Sequence, residues 1–208
     1  GLLLGSGCAA LLSTILEEDI LTTWGWRVPF LLGGLIGLVG IYIRRSVDET
    51  PVFQQSIATK HRDTDLRKNS IEPAAHAFGF TIHWTVSYYI FLAYMPTFAI
   101  RHLGLDRSVA LWSNTVGLLA LMVVAPIAGY WSDKIGRKPL LLASCLTIGI
   151  LVYPVLNYLL TNPSVAAIIC AQVLFGSLIA LYSGPGPAAI SEIFQTSYRA
   201  TGMSVGYS

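Results

Sequence analysis

Gly129-Tyr-Trp-Ser-Asp133-Lys134-Ile-Gly136-Arg137-Lys138 is the stretch whose reading decides the fold. It is a short, strongly charged segment between two long apolar runs, 109–130 and 139–160. One charge at the centre of a membrane helix costs about 2.5–3.5 kcal/mol on insertion scales. Asp133, Lys134, Arg137 and Lys138 together therefore place this segment in a tight loop at a membrane surface. Gly129 and Gly136 suit close approach and backbone angles that other residues avoid. Asp133 is a single anion among cations, suited to a helix N-terminus or to an arginine.

Composition agrees. The 208 residues are 54% hydrophobic and only 12% charged, where a soluble domain carries about a quarter charged residues. The expected class is all-α, a polytopic membrane helix bundle in contact with the lipid bilayer. A net charge of only +2 argues against a nucleic-acid partner. Cys8, Cys145 and Cys170 lie inside apolar runs with no CxxC pair, and read as small buried hydrophobes.

Upstream of the charged loop, residues 1–16 form an apolar stretch rich in Gly, Ser and Ala, closed by Glu17, Glu18 and Asp19. Gly1, Gly5 and Ala9, with Ser6 beside them, follow the small-xxx-small spacing that lets helices pack closely. Trp24 and Trp26 with Arg27 suit a headgroup boundary, and Pro29 suits a helix's first turn. The run from Trp24 to Ile43 is long enough to span about 30 Å. It ends in Arg44 and Arg45. Residues 54–72 are the one long polar segment. The next span, 74–99, ends or kinks at Met95-Pro96. Downstream, Tyr182-Ser-Gly-Pro-Gly-Pro breaks the last long apolar run. Such breaks are tolerated where backbone is buried in protein or lines a cavity.

Cation counting fixes orientation. Arg44, Arg45, Lys60, Arg62, Arg67, Lys68, Lys134, Arg137, Lys138 and Arg199 fall on one side, and only Arg27, Arg101 and Arg107 on the other. The first side is expected to be cytoplasmic. The chain opens inside one apolar run and closes soon after Gly202 begins another, so it reads as an internal stretch of a longer protein.

Polar residues inside the spans are the candidates for a solute path. His83, Ser87 and Tyr94 share a face of one span with His76, and Tyr88 and Tyr89 flank that stripe. Asn114 stands on the next span. Gln172 and Ser183 share a face near the broken helix. Each has a plainer reading. A buried histidine is commonly satisfied by a neighbouring serine or tyrosine, and Asn114 and Gln172 can simply join helices, at about 0.6 kcal/mol on average in membranes. For Asn114 the joining role is the stronger reading.

The charged loop resembles, at every fixed position, G-x-x-x-D-[RK]-x-G-R-[RK], the cytoplasmic loop signature of the major facilitator superfamily. Trp24-Gly-Trp-Arg-Val-Pro-Phe and Arg44-Arg-Ser-Val-Asp-Glu-Thr-Pro51 are similar to the sixth helix and its exit in the metabolite:proton symporter branch, whose carriers take citrate, α-ketoglutarate, shikimate, and proline or betaine. Glu192, Phe194, Arg199 and Gly202 resemble its E-x-F-P-x-x-x-R-x-x-G element, with Gln195 in place of the proline.

The resemblance implies a partial major facilitator fold running from within the fifth helix to the start of the eleventh. Residues 1–53 would close an N-terminal bundle with two membrane helices. Residues 54–73 would link the halves on the cytoplasmic side. Residues 74–208 would supply four membrane helices and the start of a fifth. It implies a monomeric secondary transporter in a bacterial cytoplasmic membrane, with no enzymatic activity and no cofactor, coupling a small solute to protons by alternating access. The coupling carboxylates would belong to the first and fourth helices. Family proportions place organic acids first and osmolytes such as proline or betaine second, with a sugar as a further alternative. A non-transporting solute sensor could carry the same sequence. Gly129, Asp133, Gly136, Arg137, Glu192 and Arg199 would then form a cytoplasmic latch that favours the outward-facing state, with Asp133 at a helix's positive end and Arg137 on a carboxylate such as Glu192. The solute site would draw on His83, Ser87, Tyr94, Asn114, Gln172 and Ser183. No HExxH or GxSxG supports an enzyme, and His76 and His83 make a poor metal pair.

Overall fold

Helices account for the regular structure throughout residues 2–46 and 71–193, the residues described by the computed structural model of the protein. In chain order they are α1 (Leu2–Ile15), α2 (Glu18–Thr23), a 3-10 turn (Gly25–Arg27), α3 (Val28–Ser46), α4 (Ile71–Tyr88), a π-helical segment (Tyr89–Tyr94), α5 (Met95–Leu103), α6 (Arg107–Ile135), α7 (Arg137–Thr161), α8 (Val165–Ser183) and α9 (Gly186–Ile193). Among the described residues, four stretches are long and apolar enough to cross a membrane: Gly25–Ile43, Arg107–Ile135, Arg137–Thr161 and Val165–Glu192. The protein is an all-α polytopic membrane bundle, with no strand among the described residues.

The seam between α6 and α8 organises the packing. A Cβ built on Gly176 would fall on the carbonyl oxygen of Gly117. One built on Gly117 would stand 2.9 Å from the Gln172 carbonyl oxygen, and one on Gly184 would stand 2.5 Å from that of Ala125. Position 117 thus meets 172–176 and position 125 meets 184, so the two helices run parallel with backbones in contact. Lipid tails are as apolar as leucine, so helix association in a membrane rests on this kind of close packing. The Gly129 backbone completes the seam at Gly184, but a Cβ on Gly129 would meet only ordinary contact at 3.7 Å. The tight glycine is Gly184, not Gly129.

On the other face of α8, Phe175 stacks on Phe91 of the π segment, with ring centroids 3.9 Å apart and planes at 15°. Leu92, Ile168 and Ile179 are buried around that pair. α7 is tied in by Ser144, whose buried Oγ donates to the Leu178 carbonyl at 2.7 Å.

Several expectations change. Glu18 and Asp19 open the short helix α2 as its first-turn acids, favourable near the positive end of a helix. On α1 the close-packed face is not Gly5 and Ala9. Gly5 faces open space, whereas Ala10 is fully buried and Ser6 meets α6. Of the two outcomes expected at Met95-Pro96, an end or a kink, the end is the one that fails: the rod that begins at Ile71 continues to Leu103. Proline lacks an N–H and clashes with the carbonyl four residues back, and the wider π turn lies immediately upstream, where it relieves that crowding. α4 also starts within the polar segment's last residues, at Ile71. The rest of the polar segment, with Lys60, Arg62, Arg67 and Lys68, lies outside the described residues, as do Phe194, Gln195, Arg199 and Gly202.

Candidate functional site

On α4, Thr81, Trp84, Thr85 and Tyr88 recur at i, i+3, i+4 and i+7, which puts them on one helical face. With Tyr89, Leu121 of α6 and Ser183 of α8 they line a cleft of about 400 Å³, within the range that holds small solutes. α8 stops at Ser183 because Pro185 cannot continue its hydrogen-bond ladder. The Ser183 Oγ is buried and has no protein partner. Thr81 Oγ1 donates back to the Ala77 carbonyl at 2.8 Å and keeps its acceptor capacity.

Tyr182 fixes this wall. Its hydroxyl donates to the Phe80 carbonyl at 2.9 Å. Its ring centroid lies 4.8 Å from those of Phe80 and His83. Trp84 packs edge-to-face on Phe80 at 6.0 Å. Gly186, just past the break, lies beside both rings, where a Cβ would make only ordinary contact at 3.5 Å from each. This aromatic knot holds α4 against the broken end of α8.

The six expected site residues do not form one cluster. Ser183 lines the cleft. His83 sits behind it, half-buried against Tyr182, with Nε2 lacking a partner. Ser87 is buried, but Tyr94 is 49% exposed. In an unbroken α-helix residues seven apart share a face. The π segment between them carries more residues per turn, so Tyr94 rotates away from Ser87 and the face passes to Phe91, Leu92 and Met95. Asn114 belongs to another place, where its Nδ2 donates to Ser6 Oγ at 3.1 Å and Ser6 Oγ lies 3.0 Å from Thr115 Oγ1. Close by, Trp112 Nε1 donates to Thr14 Oγ1 at 3.1 Å. These bonds join α1 to α6. Gln172 is 1% exposed in the α6–α8 seam, with both amide atoms unpartnered.

The cleft residues on α4 went unread as a site because tryptophan and tyrosine count as ordinary apolar residues in a membrane span. The legible signal was the i, i+3, i+4, i+7 recurrence of hydroxyls and large rings from Thr81 to Tyr88.

Among the described residues, every Asp, Glu, Lys and Arg stands at a helix end or in a turn, and none lines the cleft. Nor does any group of three or more His, Cys, Asp or Glu among them form a metal site. The charges gather instead at the α6–α7 turn. Arg137 Nε donates to both carboxylate oxygens of Glu192 at 2.9 Å, and its Nη2 lies 2.8 Å from Oε1. Arg137 Nη1 stands 3.6 Å from Asp133 Oδ1. Gly136 makes the turn with φ +96° and ψ 158°, a region essentially reserved for glycine. Asp133 meets Arg137 here.

No solved structure matches the chain. Curated relatives do. A proline/betaine transporter of Escherichia coli is 28% identical over 221 residues, covering 100% of this chain and 44% of that protein. A glycine betaine/proline/ectoine/pipecolic acid transporter of Dickeya dadantii is 28% identical with the same coverage. An inner membrane metabolite transport protein of Escherichia coli is 30% identical over 216 residues, covering 100% of the chain and 49% of that protein. The chain spans about half the length of these relatives. The profile of the Major Facilitator Superfamily matches residues 1–208, and with the helical bundle and its charged turn this places the chain in that family.

Proposed function

We propose that the chain forms part of a proton-coupled secondary transporter that carries a small zwitterionic osmolyte of the proline or betaine class across the cytoplasmic membrane. The observation that carries this reading is that no charged side chain among the described residues lines the cleft. A di- or tricarboxylate would need an arginine, a lysine or several free backbone donors, and Pro185 and Pro187 remove donors from the one broken stretch nearby. A zwitterion brings its own opposite charge and is neutral overall. The names of the proline/betaine transporter of Escherichia coli and of the Dickeya dadantii relative support the same order, osmolyte before organic acid, which reverses the order that family proportions gave.

In this reading residues 1–53 and 74–208 belong to two bundles joined by 54–73, and the bundles rock around a midplane site. Ser183 contributes to the solute wall directly, His83 positions Tyr182, and Ser87, Tyr94, Asn114 and Gln172 support the helices. The Ser6–Asn114–Thr115 joint crosses between the bundles and rearranges as they rock. Arg137 and Glu192 both lie in 74–208, so their contact braces one bundle at its cytoplasmic end. With Gly129, Asp133 and Gly136 it forms a latch whose strength biases the conformational equilibrium, and Arg199, expected in the same latch, lies outside the described residues.

The test is uptake by the full-length transporter in proteoliposomes under an imposed proton gradient. Labelled glycine betaine and proline should accumulate, and a dicarboxylate should not. Accumulation of the dicarboxylate alone would reject the osmolyte reading. Saturable binding with no accumulation of any of the three would make the protein a sensor.

A further inference from the structure

The cleft on α4 has a composition that distinguishes between zwitterions, and this inference rests on the osmolyte reading above. Three of its seven lining residues are Trp84, Tyr88 and Tyr89, and a carboxylate is absent from it. A secondary or primary ammonium carries N–H groups and needs acceptors when it leaves water. A quaternary ammonium has no N–H to satisfy. It spreads its charge over methyl groups and is drawn to aromatic faces, within about 6 Å of the ring centroid. A wall with three large rings and no carboxylate therefore suits the second kind of cation.

Two further features bear on this. Trp84 is held in place rather than loosely hung. Trp84 is set by its edge contact with Phe80, and Phe80 carries the hydrogen bond and ring contact of Tyr182. Across the cleft, Ser183 offers a hydroxyl that is buried and has no protein partner. A buried hydroxyl without a partner is costly, and a solute carboxylate is an acceptor that would satisfy it. Cation wall and carboxylate donor thus stand on opposite elements, α4 and the end of α8.

We propose that this cleft binds fully N-methylated zwitterions, with the trimethylammonium group against Trp84, Tyr88 and Tyr89 and the carboxylate accepting a hydrogen bond from Ser183 Oγ. Proline enters the same cleft but gains less from the rings.

The experiment compares glycine betaine and proline uptake by the full-length transporter in proteoliposomes, with Trp84→Leu, Trp84→Phe, Tyr89→Leu and Ser183→Ala. Each ring is expected to matter by about 2- to 30-fold for a quaternary cation. Trp84→Leu should raise the KM for glycine betaine by about tenfold and that for proline by less than about twofold, and Trp84→Phe should recover most of the loss. Ser183→Ala should weaken both solutes alike. Tyr89, at 65% exposed, tolerates replacement without disturbing the core, so Tyr89→Leu carries the test if Trp84→Leu fails to fold. Equal loss for both solutes in the ring variants, or no loss for either, would overturn the proposal while leaving the osmolyte reading intact. Uptake of neither zwitterion by the unsubstituted protein would instead overturn the osmolyte reading itself.

Discussion

Arg137 holds Glu192 through a two-oxygen grip, with Nε 2.9 Å from each carboxylate oxygen, across a sequence separation of 55 residues. The contact ties the start of α7 to the end of α9, and Asp133 one turn upstream keeps a second acid near the same guanidinium. Glu192 is 58% exposed and Arg137 26%, so solvent and salt weaken the pair. It is suited to tilting an equilibrium rather than to holding the fold.

Arg137→Gln and Glu192→Gln should therefore each leave the protein folded and change the uptake rate by less than about fivefold. The two changes together should do little more than one alone, because either removes the same contact. Additive losses in uptake assays would show that the two residues act separately. The effect should also shrink as ionic strength rises.

The α6–α8 seam should resist added bulk. Gly184→Ala would place a methyl 2.5 Å from the Ala125 carbonyl oxygen, and Gly176→Ala would press on the Gly117 backbone. Overpacking of this kind costs about 1–3 kcal/mol, so both variants should melt earlier in detergent. Gly129→Ala, with 3.7 Å to its nearest neighbour, should melt close to the parent. A Gly129→Ala loss equal to that of Gly184→Ala would mean the seam is closer at Gly129 than described.

Two glycines in turns should differ in what can replace them. Gly104 has φ +66° and ψ 22°, the left-handed helical region that asparagine also visits. Gly136, at φ +96° and ψ 158°, lies where side chains are strained by about 1–3 kcal/mol. Gly104→Asn should be nearly silent in thermal unfolding, and Gly136→Asn should not. Equal melting temperatures would contradict the backbone described at the α6–α7 turn.

The joint between α1 and α6 should act as a moving part. Ser6 Oγ and Thr115 Oγ1 stand 3.0 Å apart, so Ser6→Cys with Thr115→Cys, in a background with Cys8, Cys145 and Cys170 replaced by serine, should cross-link on oxidation. If the bundles rock about this joint, uptake should stop when the bridge forms and return on reduction. Full uptake by the cross-linked protein would show that the joint stays closed throughout transport. A double-mutant cycle on Ser6 and Asn114 should give coupling near 0.6 kcal/mol, the usual size for membrane hydrogen bonds.

The site was only partly legible in the chain. Ser183 stands beside the helix break that Pro185 makes legible in the chain, and it lines the cleft. Thr81, Trp84, Thr85 and Tyr88 were not read as a site, although their spacing was visible, because rings in an apolar run look like packing. Tyr94 was assigned to the face of Ser87 by counting seven residues, and the π segment between them cancels that count. The small-residue stripe on α1 was placed one residue early, at Gly5 and Ala9 rather than Ser6 and Ala10.

By itself the sequence determined that this is a membrane bundle, where its long apolar helices lie, and that its charges belong at helix ends. Each of these follows residue by residue from the cost of placing a polar or charged group in hydrocarbon, and needs no knowledge of neighbours. The tertiary structure alone decided which faces meet: that Gly176 lies on Gly117, that Asn114 reaches Ser6, and that the aromatic face of α4 opens onto Ser183. Those pairings depend on helical phase, which one π turn can shift, and on the register between segments 59 to 108 residues apart. Backbone approach and ring packing set both, and neither is written in any local stretch of the chain.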